Sequence, residues 1–186
     1  MRIRLTIILL VLLSCNDKQS NDTKTLDFEY FTIDVPVTWQ QVKTSGIDSF
    51  VGHLTLDKGD TIMFDLGWYS NPLDEEYKFK IEDGKVYLKN EKESTYNSVL
   101  YEFYGKADTI DIEKLKVNKI RWTTVDGKKA KIVQPRLTGK GMTGIYFDSL
   151  WSAGSGIDKL QISGTDLDPE NERRLLQAFE TLKFKK

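Results

Sequence analysis

The chain has 186 residues with a formal net charge of −1, and its 39% of hydrophobic residues is enough for one folded domain. A net charge this close to zero gives the chain no excess of positive charge to attract nucleic acid, so we expect no nucleic-acid partner. One histidine and one cysteine in the whole chain exclude the usual zinc ligand sets, and we expect neither a metal nor a cofactor.

The first fifteen residues have the features of a secretory signal. Arg2 and Arg4 precede the apolar run Leu5–Leu13, and the small residue Ser14 precedes Cys15, the only cysteine. The apolar run is shorter than the ~20 residues that a membrane-spanning helix needs. The segment therefore predicts export rather than a transmembrane helix.

The segment Leu12-Leu13-Ser14-Cys15 resembles the lipobox of bacterial lipoproteins. The resemblance implies that residues 1–15 form a lipoprotein signal cleaved before the cysteine, that Cys15 is diacylated, and that this lipid anchors the chain to a membrane. In enteric bacteria an aspartate directly after the cysteine retains a lipoprotein in the inner membrane. Asn16 stands at that place here, so we expect the outer membrane, on its periplasmic or surface face.

Residues 16–25 contain no apolar side chain, which predicts a flexible tether. A single domain is then expected over residues 26–186. It opens with a predicted strand over Phe28–Val35, where aromatic and β-branched residues run up to Pro36.

Burial selects the pairing of the first predicted hairpin. A three-residue loop over residues 57–59 pairs Leu54 with Ile62 and Gly52 with Phe64, which keeps the apolar side chains on one face. A two-residue loop would place apolar and charged side chains on the same face. The sequence therefore predicts the longer loop.

Two further turns contain the dipeptide Asp-Gly. Around Asp83-Gly84, burial favours a two-residue turn. Around Val125-Asp126-Gly127, it favours a three-residue loop that pairs Trp122 with Ala130, over a two-residue turn that would set Trp122 against Lys131. Three hairpins predict a mainly antiparallel sheet.

The last part of the chain predicts two strands and a helix. The strands are expected over Gly144–Trp151 and Lys159–Gly164, and Asp168 can cap a helix that starts at Pro169. Apolar residues then recur at helical spacing: Leu175, Leu176, Phe179 and Leu182. The predicted fold class is α+β, with a mainly antiparallel sheet of several hairpins and a C-terminal amphipathic helix packed on it.

The order of these elements resembles the PsbP-like fold, through Val35-Pro36 with Trp39 close behind, the run of hairpins, and the closing segment Thr181–Phe184. The segments Gly46–Gly52 and Gly144–Leu150 are also similar to segments of uncharacterised lipoproteins of the Bacteroidetes type. PsbP-like proteins generally act as assembly or accessory factors. The resemblance implies such a role and carries over no catalytic residue.

Three patterns that could carry chemistry fit structural roles better. The G-x-G-x-x-G pattern of Gly139–Gly144 precedes a strand-like run, whereas a dinucleotide site needs a helix there. His53 is expected opposite Met63 and diagonal to Asp65, as a polar pair on a strand face. The acids of Asp166–Glu172 suit helix capping better than a calcium loop. We expect no catalytic residue.

Four tryptophans are the remaining candidates for a binding surface. The strand phases predict that Trp68 and Trp122 belong to the core. Trp39 and Trp151 lie nearer to strand ends, so these two and Tyr146 are the candidate ligand-binding residues.

With catalysis set aside, the expected function is that of a lipid-anchored cell-envelope protein. It would be a non-catalytic binding or assembly accessory factor whose partner is an envelope protein or a glycan. A platform of Trp68-Tyr69 and Tyr146 would suit sugars or peptide aromatics. The alternatives are an envelope hydrolase that uses carboxylates, and a small-ligand carrier with an apolar pocket between sheet and helix.

Overall fold

Antiparallel strands dominate the computed structural model, which describes residues 22–42, 49–94, 98–153 and 156–185. These residues form three sheets and one α-helix, so the predicted α+β fold class is confirmed. The predicted signal over residues 1–15, residues 16–21 of the predicted tether and the segment Gly46–Asp48 lie outside the described residues. The elements are β1 (Thr23–Phe28), β2 (Phe31–Pro36), β3 (Gln40–Val42), β4 (Phe50–Thr55), β5 (Thr61–Gly67), β6 (Phe79–Glu82), β7 (Lys85–Lys89), β8 (Tyr101–Lys106), β9 (Asn118–Val125), β10 (Lys128–Pro135), β11 (Met142–Ala153), β12 (Gly156–Thr165), α1 (Pro169–Phe179) and β13 (Lys183–Phe184).

The largest sheet has seven strands in the order β3-β4-β5-β12-β11-β10-β9, and all neighbours are antiparallel. One face of this sheet is covered by α1 and by a smaller sheet of order β1-β2-β13. The core between these layers contains large side chains that are at most 2% exposed: Phe28, Phe31, Trp39, Phe147, Leu160, Leu175, Phe179 and Leu182. The fold therefore rests on apolar burial rather than on a disulfide.

Two of the three predicted hairpin registers are confirmed. β4 and β5 pair Leu54 with Ile62 across the three-residue loop. β6 and β7 pair Ile81 with Val86 across the two-residue turn Asp83-Gly84. In both hairpins, the strand register that burial favours is also the register that the observed loop length produces.

The third register prediction is wrong. β9 and β10 join through the two-residue turn Asp126-Gly127, whose residues have φ values of 48° and 74°, and Trp122 faces Lys131 rather than Ala130. Asp-Gly is a preferred sequence for a type I′ turn, which needs positive φ at both positions. Trp122 therefore lies on the face away from α1 and is 52% exposed, which corrects its predicted place in the core.

The predicted opening strand is two strands. Phe28 and Phe31 pair across a turn at Glu29 and Tyr30, so that β1 folds back on β2. The predicted tether is correspondingly too long, because residues 23–25 belong to β1. There the hydroxyl of Thr25 donates to the Asp34 carboxylate at 2.6 Å. A polar strand at a sheet edge carries no apolar pattern, which is why the sequence reads as a linker.

The C-terminal helix is confirmed with its predicted cap. The Asp168 carboxylate accepts a hydrogen bond from the backbone N–H of Glu170 at 3.0 Å, and Pro169 is the first helical residue. Phe179 is fully buried, as predicted. Glu172 is 2% exposed, and its carboxylate accepts from the backbone N–H of Gly139 at 2.8 Å, which ties the helix to the glycine-containing loop.

Residues 70–78, which we call the crossing segment, run over the face of the seven-stranded sheet away from α1. Ser70 bonds to β12, Leu73 packs with Val133 of β10, and Asp74 lies 2.7 Å from the buried Lys131. The segment then leads into the third sheet, of order β6-β7-β8. The crossing segment covers part of this second face.

Candidate ligand-binding groove

The turn after β5 presents two aromatic side chains to solvent. Trp68 is 44% exposed and Tyr69 is 81% exposed, far more than the aromatic residues of the core. The turn is held by the buried Ser70, whose hydroxyl lies 2.7 Å from the carbonyl oxygen of Asp65 and 3.0 Å from that of Lys159. These aromatic rings are therefore displayed by an anchored turn.

An open groove of about 730 Å³ lies beside this turn. It is lined by residues from the β1–β2 turn, from the starts of β4 and β12, and from the end of β5: Tyr30, Ser49, Phe50, Leu66, Gly67, Trp68, Tyr69 and Asp158. The volume falls within the range of small-molecule and cofactor sites in proteins. We call this feature the aromatic groove.

The floor of the groove is continuous with the core. Tyr30 packs edge-on against Phe50 with ring centroids 5.2 Å apart, and Phe50 lies 5.5 Å from the buried Phe64. On the other side, Tyr30 lies 6.5 Å from Trp151, which contacts Phe184 at 5.8 Å. Because these rings support one another, the groove is preformed.

The indole of Trp68 lies directly against Gly156, at the start of β12. A Cβ atom at Gly156 would come within 2.1 Å of the indole Cε2 atom, so only glycine permits this approach. One side of the Trp68 ring thus packs against Gly156, while nearly half of the Trp68 residue stays exposed to solvent.

Two polar groups accompany the aromatic surface, the carboxylate of Asp158 and the hydroxyl of Ser49. Among the described residues, no hydrogen bond or ion pair engages either side chain. A flat aromatic surface beside a free hydrogen-bond acceptor suits a ligand with one apolar face and peripheral hydroxyl groups.

The three predicted ligand-binding residues do not come together. Trp39 is 0% exposed, so the prediction that it lies on the surface is wrong: the turn after β2 buries its indole in the core. Trp151 is half-buried beside Tyr30 at the edge of the groove. Tyr146 is 7% exposed on the face that the crossing segment covers.

The prediction that Trp68 belongs to the core is wrong. Of the alternative platform of Trp68-Tyr69 and Tyr146, Trp68 and Tyr69 are exposed and Tyr146 is buried. β5 ends at Gly67, and the Ser-Asn-Pro run after Tyr69 is typical of a turn, so the available signal was turn chemistry rather than strand phase.

Tyr146 belongs to a buried polar cluster beneath the crossing segment. Its pKa is raised above the ordinary value, first by burial and then by the negative charges of Asp148 and Asp74. The ammonium group of Lys131 lies 5.7 Å from the centre of its ring and 2.7 Å from the Asp74 carboxylate. The ion pair between Lys131 and Asp74 therefore holds the crossing segment against the sheet.

The other sequence features that were considered for chemistry lie in the sheet or in a loop that leads into it. His53 pairs with Met63, in the predicted register, and is half-buried. The loop of Gly139–Gly144 leads into β11, as expected. Within the described ranges, no group of three or more His, Cys, Asp or Glu side chains is arranged to hold a metal ion.

A second cavity, of about 300 Å³, lies between α1 and the β1–β2 hairpin. Its cations are already paired, since Arg173 and Arg174 lie 2.5 Å and 2.7 Å from the Glu170 carboxylate. These two hydrogen-bonded guanidinium groups lower the pKa of Glu170 to about 2. The cavity lacks an exposed aromatic surface, which leaves the aromatic groove as the stronger candidate site.

Comparison of the chain with protein-family models, with curated proteins and with solved structures finds no match. The resemblance to the PsbP-like fold and to bacterial lipoproteins therefore stays a prediction. In the described part of the chain, α1 is too short and too polar to cross a membrane.

Proposed function

We propose that this chain is a lipid-anchored, non-catalytic protein of the cell envelope that binds a glycan in the aromatic groove. The observation that carries the proposal is the joint exposure of Trp68, Tyr69 and Tyr30 around an open cavity that also contains Asp158. Core filling does not explain these rings, because each is at least 39% exposed.

A glycan matches this chemistry better than a purely apolar ligand does. The C–H face of a pyranose ring packs on an indole or phenol ring, and the sugar hydroxyl groups can donate to the Asp158 carboxylate or exchange hydrogen bonds with Ser49. An enclosed apolar pocket would favour the small-ligand carrier, but this groove is open and partly polar.

Binding can be tested by titrating the full chain, purified in detergent, with soluble oligosaccharides and following tryptophan fluorescence. Trp68→Ala should weaken binding by about 2 kcal/mol, or roughly 30-fold in Kd, as expected for a central aromatic contact. Tyr104→Ala is the matched control, because Tyr104 is similarly exposed but lies on β8, outside the groove. Equal losses in both variants, or saturable binding of none of the oligosaccharides, would contradict the proposal.

The absence of catalysis is part of the proposal and has its own test. Chromogenic glycosidase, esterase and peptidase substrates should show no turnover above that of a buffer control. If turnover survives repurification and disappears in Asp158→Asn, the groove belongs to a hydrolase and the binding proposal is wrong.

The anchor is proposed from the lipobox resemblance at Cys15, which lies outside the described residues. Wild-type protein in cells grown with a labelled fatty acid should take up the label, and Cys15→Ser should take up none and remain unprocessed. Fractionation should place the wild type in the outer membrane. Absence of label in the wild type would refute the anchor, and exclusive recovery with the inner membrane would refute the sorting.

A further inference from the structure

β9 forms a regular free edge of the seven-stranded sheet. Its eight residues pair with β10 in an unbroken register from Asn118 opposite Pro135 to Val125 opposite Lys128. No strand in the described part of the chain pairs with its outer side. Neither a proline nor a bulge interrupts it. Of the usual devices that stop a sheet edge from accepting another strand, β9 has only two charged side chains, Lys119 and Arg121.

The geometry of the hairpin fixes which backbone groups point outward. The two-residue turn Asp126-Gly127 makes Val125 and Lys128 the hydrogen-bonded pair that closes the hairpin. By alternation, Thr123, Arg121 and Lys119 also direct their N–H and C=O groups toward β10. Thr124, Trp122 and Ile120 therefore direct theirs into solvent.

The beginning of this edge is covered, and the rest is open. The Glu75 carboxylate accepts from the backbone N–H groups of Val117 and Asn118 at 2.6 Å and 2.9 Å. Beyond this point no described group bonds to the outward amides of Ile120 and Trp122. These two side chains are 43% and 52% exposed, and the Lys129 ammonium group lies 4.4 Å from the centre of the Trp122 ring. The open stretch is therefore unpaired and presents two exposed apolar side chains with a cation beside one of them.

We propose that β9 pairs with β9 of a second copy of this chain, in antiparallel orientation about a two-fold axis through Trp122. Such an axis stands perpendicular to the sheet, and each outward-directed residue then meets an outward-directed residue of the second copy. In this register Trp122 lies opposite Trp122, and Ile120 lies opposite Thr124. The two seven-stranded sheets would join into one continuous sheet.

Charge excludes the registers centred on Arg121 and on Ile120. The pairing of exposed apolar side chains favours Trp122 over the remaining neighbour, Thr123, which would set Trp122 against Thr124. Centring the axis on Trp122 places Arg121 opposite Thr123 and Lys119 opposite Val125, so no like charges meet. Centring it on Arg121 would set two guanidinium groups opposite each other. Centring it on Ile120 would set Lys119 against Arg121, and like charges directly opposite each other destabilise a strand pair.

The two positive charges of the strand lie on the side of α1, whereas Trp122 and Ile120 lie on the other side, beside Lys131 and Val133. The edge is thus complementary to itself: its apolar residues meet each other and its cations meet neutral residues. A second copy satisfies these conditions, which is why we assign it as the occupant rather than an unrelated peptide. The proposal is independent of the aromatic groove, since β9 contributes no residue to it.

Cross-linking of the full chain tests the register, with Cys15→Ser as the background so that the introduced thiol is the only one. Trp122→Cys should form a disulfide-linked dimer on mild oxidation, because residues opposite each other in a hydrogen-bonded pair have Cα atoms ~5.5 Å apart, within disulfide range. Thr124→Cys is the matched control on the same strand and face. Its two thiols would lie more than ~13 Å apart, so we expect at least ~10-fold less dimer. Equal cross-linking at both positions, or none at Trp122→Cys, would overturn the proposal.

A charge-exchange experiment on the otherwise unmodified chain provides a second test. Trp122→Lys and Trp122→Glu should each sediment as a monomer in detergent, since each places like charges at the two-fold axis. An equimolar mixture should recover the dimer. Circular dichroism should show both variants folded, because the side chain is half exposed. Trp68→Ala should remain dimeric. A wild-type chain that stays monomeric at all concentrations, or a mixture that does not recover the dimer, refutes the pairing.

Discussion

Phe179 offers the sharpest test of how α1 holds the fold together. Its ring is 0% exposed within the core between α1 and the seven-stranded sheet. Truncation of a buried phenylalanine to alanine costs about 3–5 kcal/mol, which is a large share of the 5–15 kcal/mol that stabilises a typical domain. Phe179 also lines an open cavity of about 270 Å³, which lets solvent fill part of the vacated space. We therefore expect a loss nearer to 3 kcal/mol than to 5 kcal/mol.

The assay is thermal unfolding followed by circular dichroism. For a domain of this size, about 3–5 kcal/mol corresponds to a fall in Tm of about 6–20 °C. Glu180→Ala is the control, because Glu180 follows Phe179 directly and is exposed. If the Tm of Phe179→Ala falls no further than that of Glu180→Ala, the reasoning that α1 is held by this ring is wrong.

Three further predictions follow from single contacts. Gly156→Ala should displace the Trp68 indole, weaken glycan binding and leave the Tm within a few degrees of wild type. Glu170→Gln should lower the free energy of unfolding at pH 7. The difference in that free energy between the variant and the wild type should fade as the pH falls through 4.5 toward about 2. The reason is that the Glu170 carboxylate has a lower pKa in the native state than in the unfolded state, so its stabilising charge is lost only as the pH reaches the native pKa. Asp74→Ala should cost about 1 kcal/mol by removing the anion that pairs with the buried Lys131 ammonium, because the Asp74 side chain is itself 74% exposed and the pair is screened by solvent. Adding Lys131→Met should recover part of that loss.

Each of these has a contrary result. Unchanged glycan affinity in Gly156→Ala would show that the indole position does not matter to binding. A difference between wild type and Glu170→Gln that is as large at pH 2 as at pH 7 would show that the carboxylate charge does not stabilise α1. No recovery in the double variant would show that the loss at Asp74 does not come from the unpaired lysine.

The elements whose prediction succeeded are those in which local and tertiary preferences agree. Asp168 and Pro169 start α1 where capping chemistry predicts it, and Phe179 faces the core as helical periodicity predicts. The β4–β5 register follows from the alternation of Leu54 and its neighbours, since that strand buries one face only.

The wrong prediction of the β9–β10 register came from the assumption that a strand buries one face only. β10 is buried on both faces, with Ile132 toward α1 and Val133 toward the crossing segment. Alternation therefore could not decide the β9–β10 register, and the Asp126-Gly127 turn decided it instead. Two tryptophans were misplaced for other reasons. The exposure of Trp68 depends on where β5 ends, and the burial of Trp39 depends on layers that meet only in the folded chain.

The position of a bound glycan tests the central claim most directly. A crystal structure of the protein with an oligosaccharide that shifts its tryptophan fluorescence should show a sugar ring parallel to the indole of Trp68, with a hydroxyl group within hydrogen-bonding distance of the Asp158 carboxylate. A sugar bound instead in the cavity between α1 and the β1–β2 hairpin, or an aromatic groove that stays empty at saturating oligosaccharide, would contradict the account.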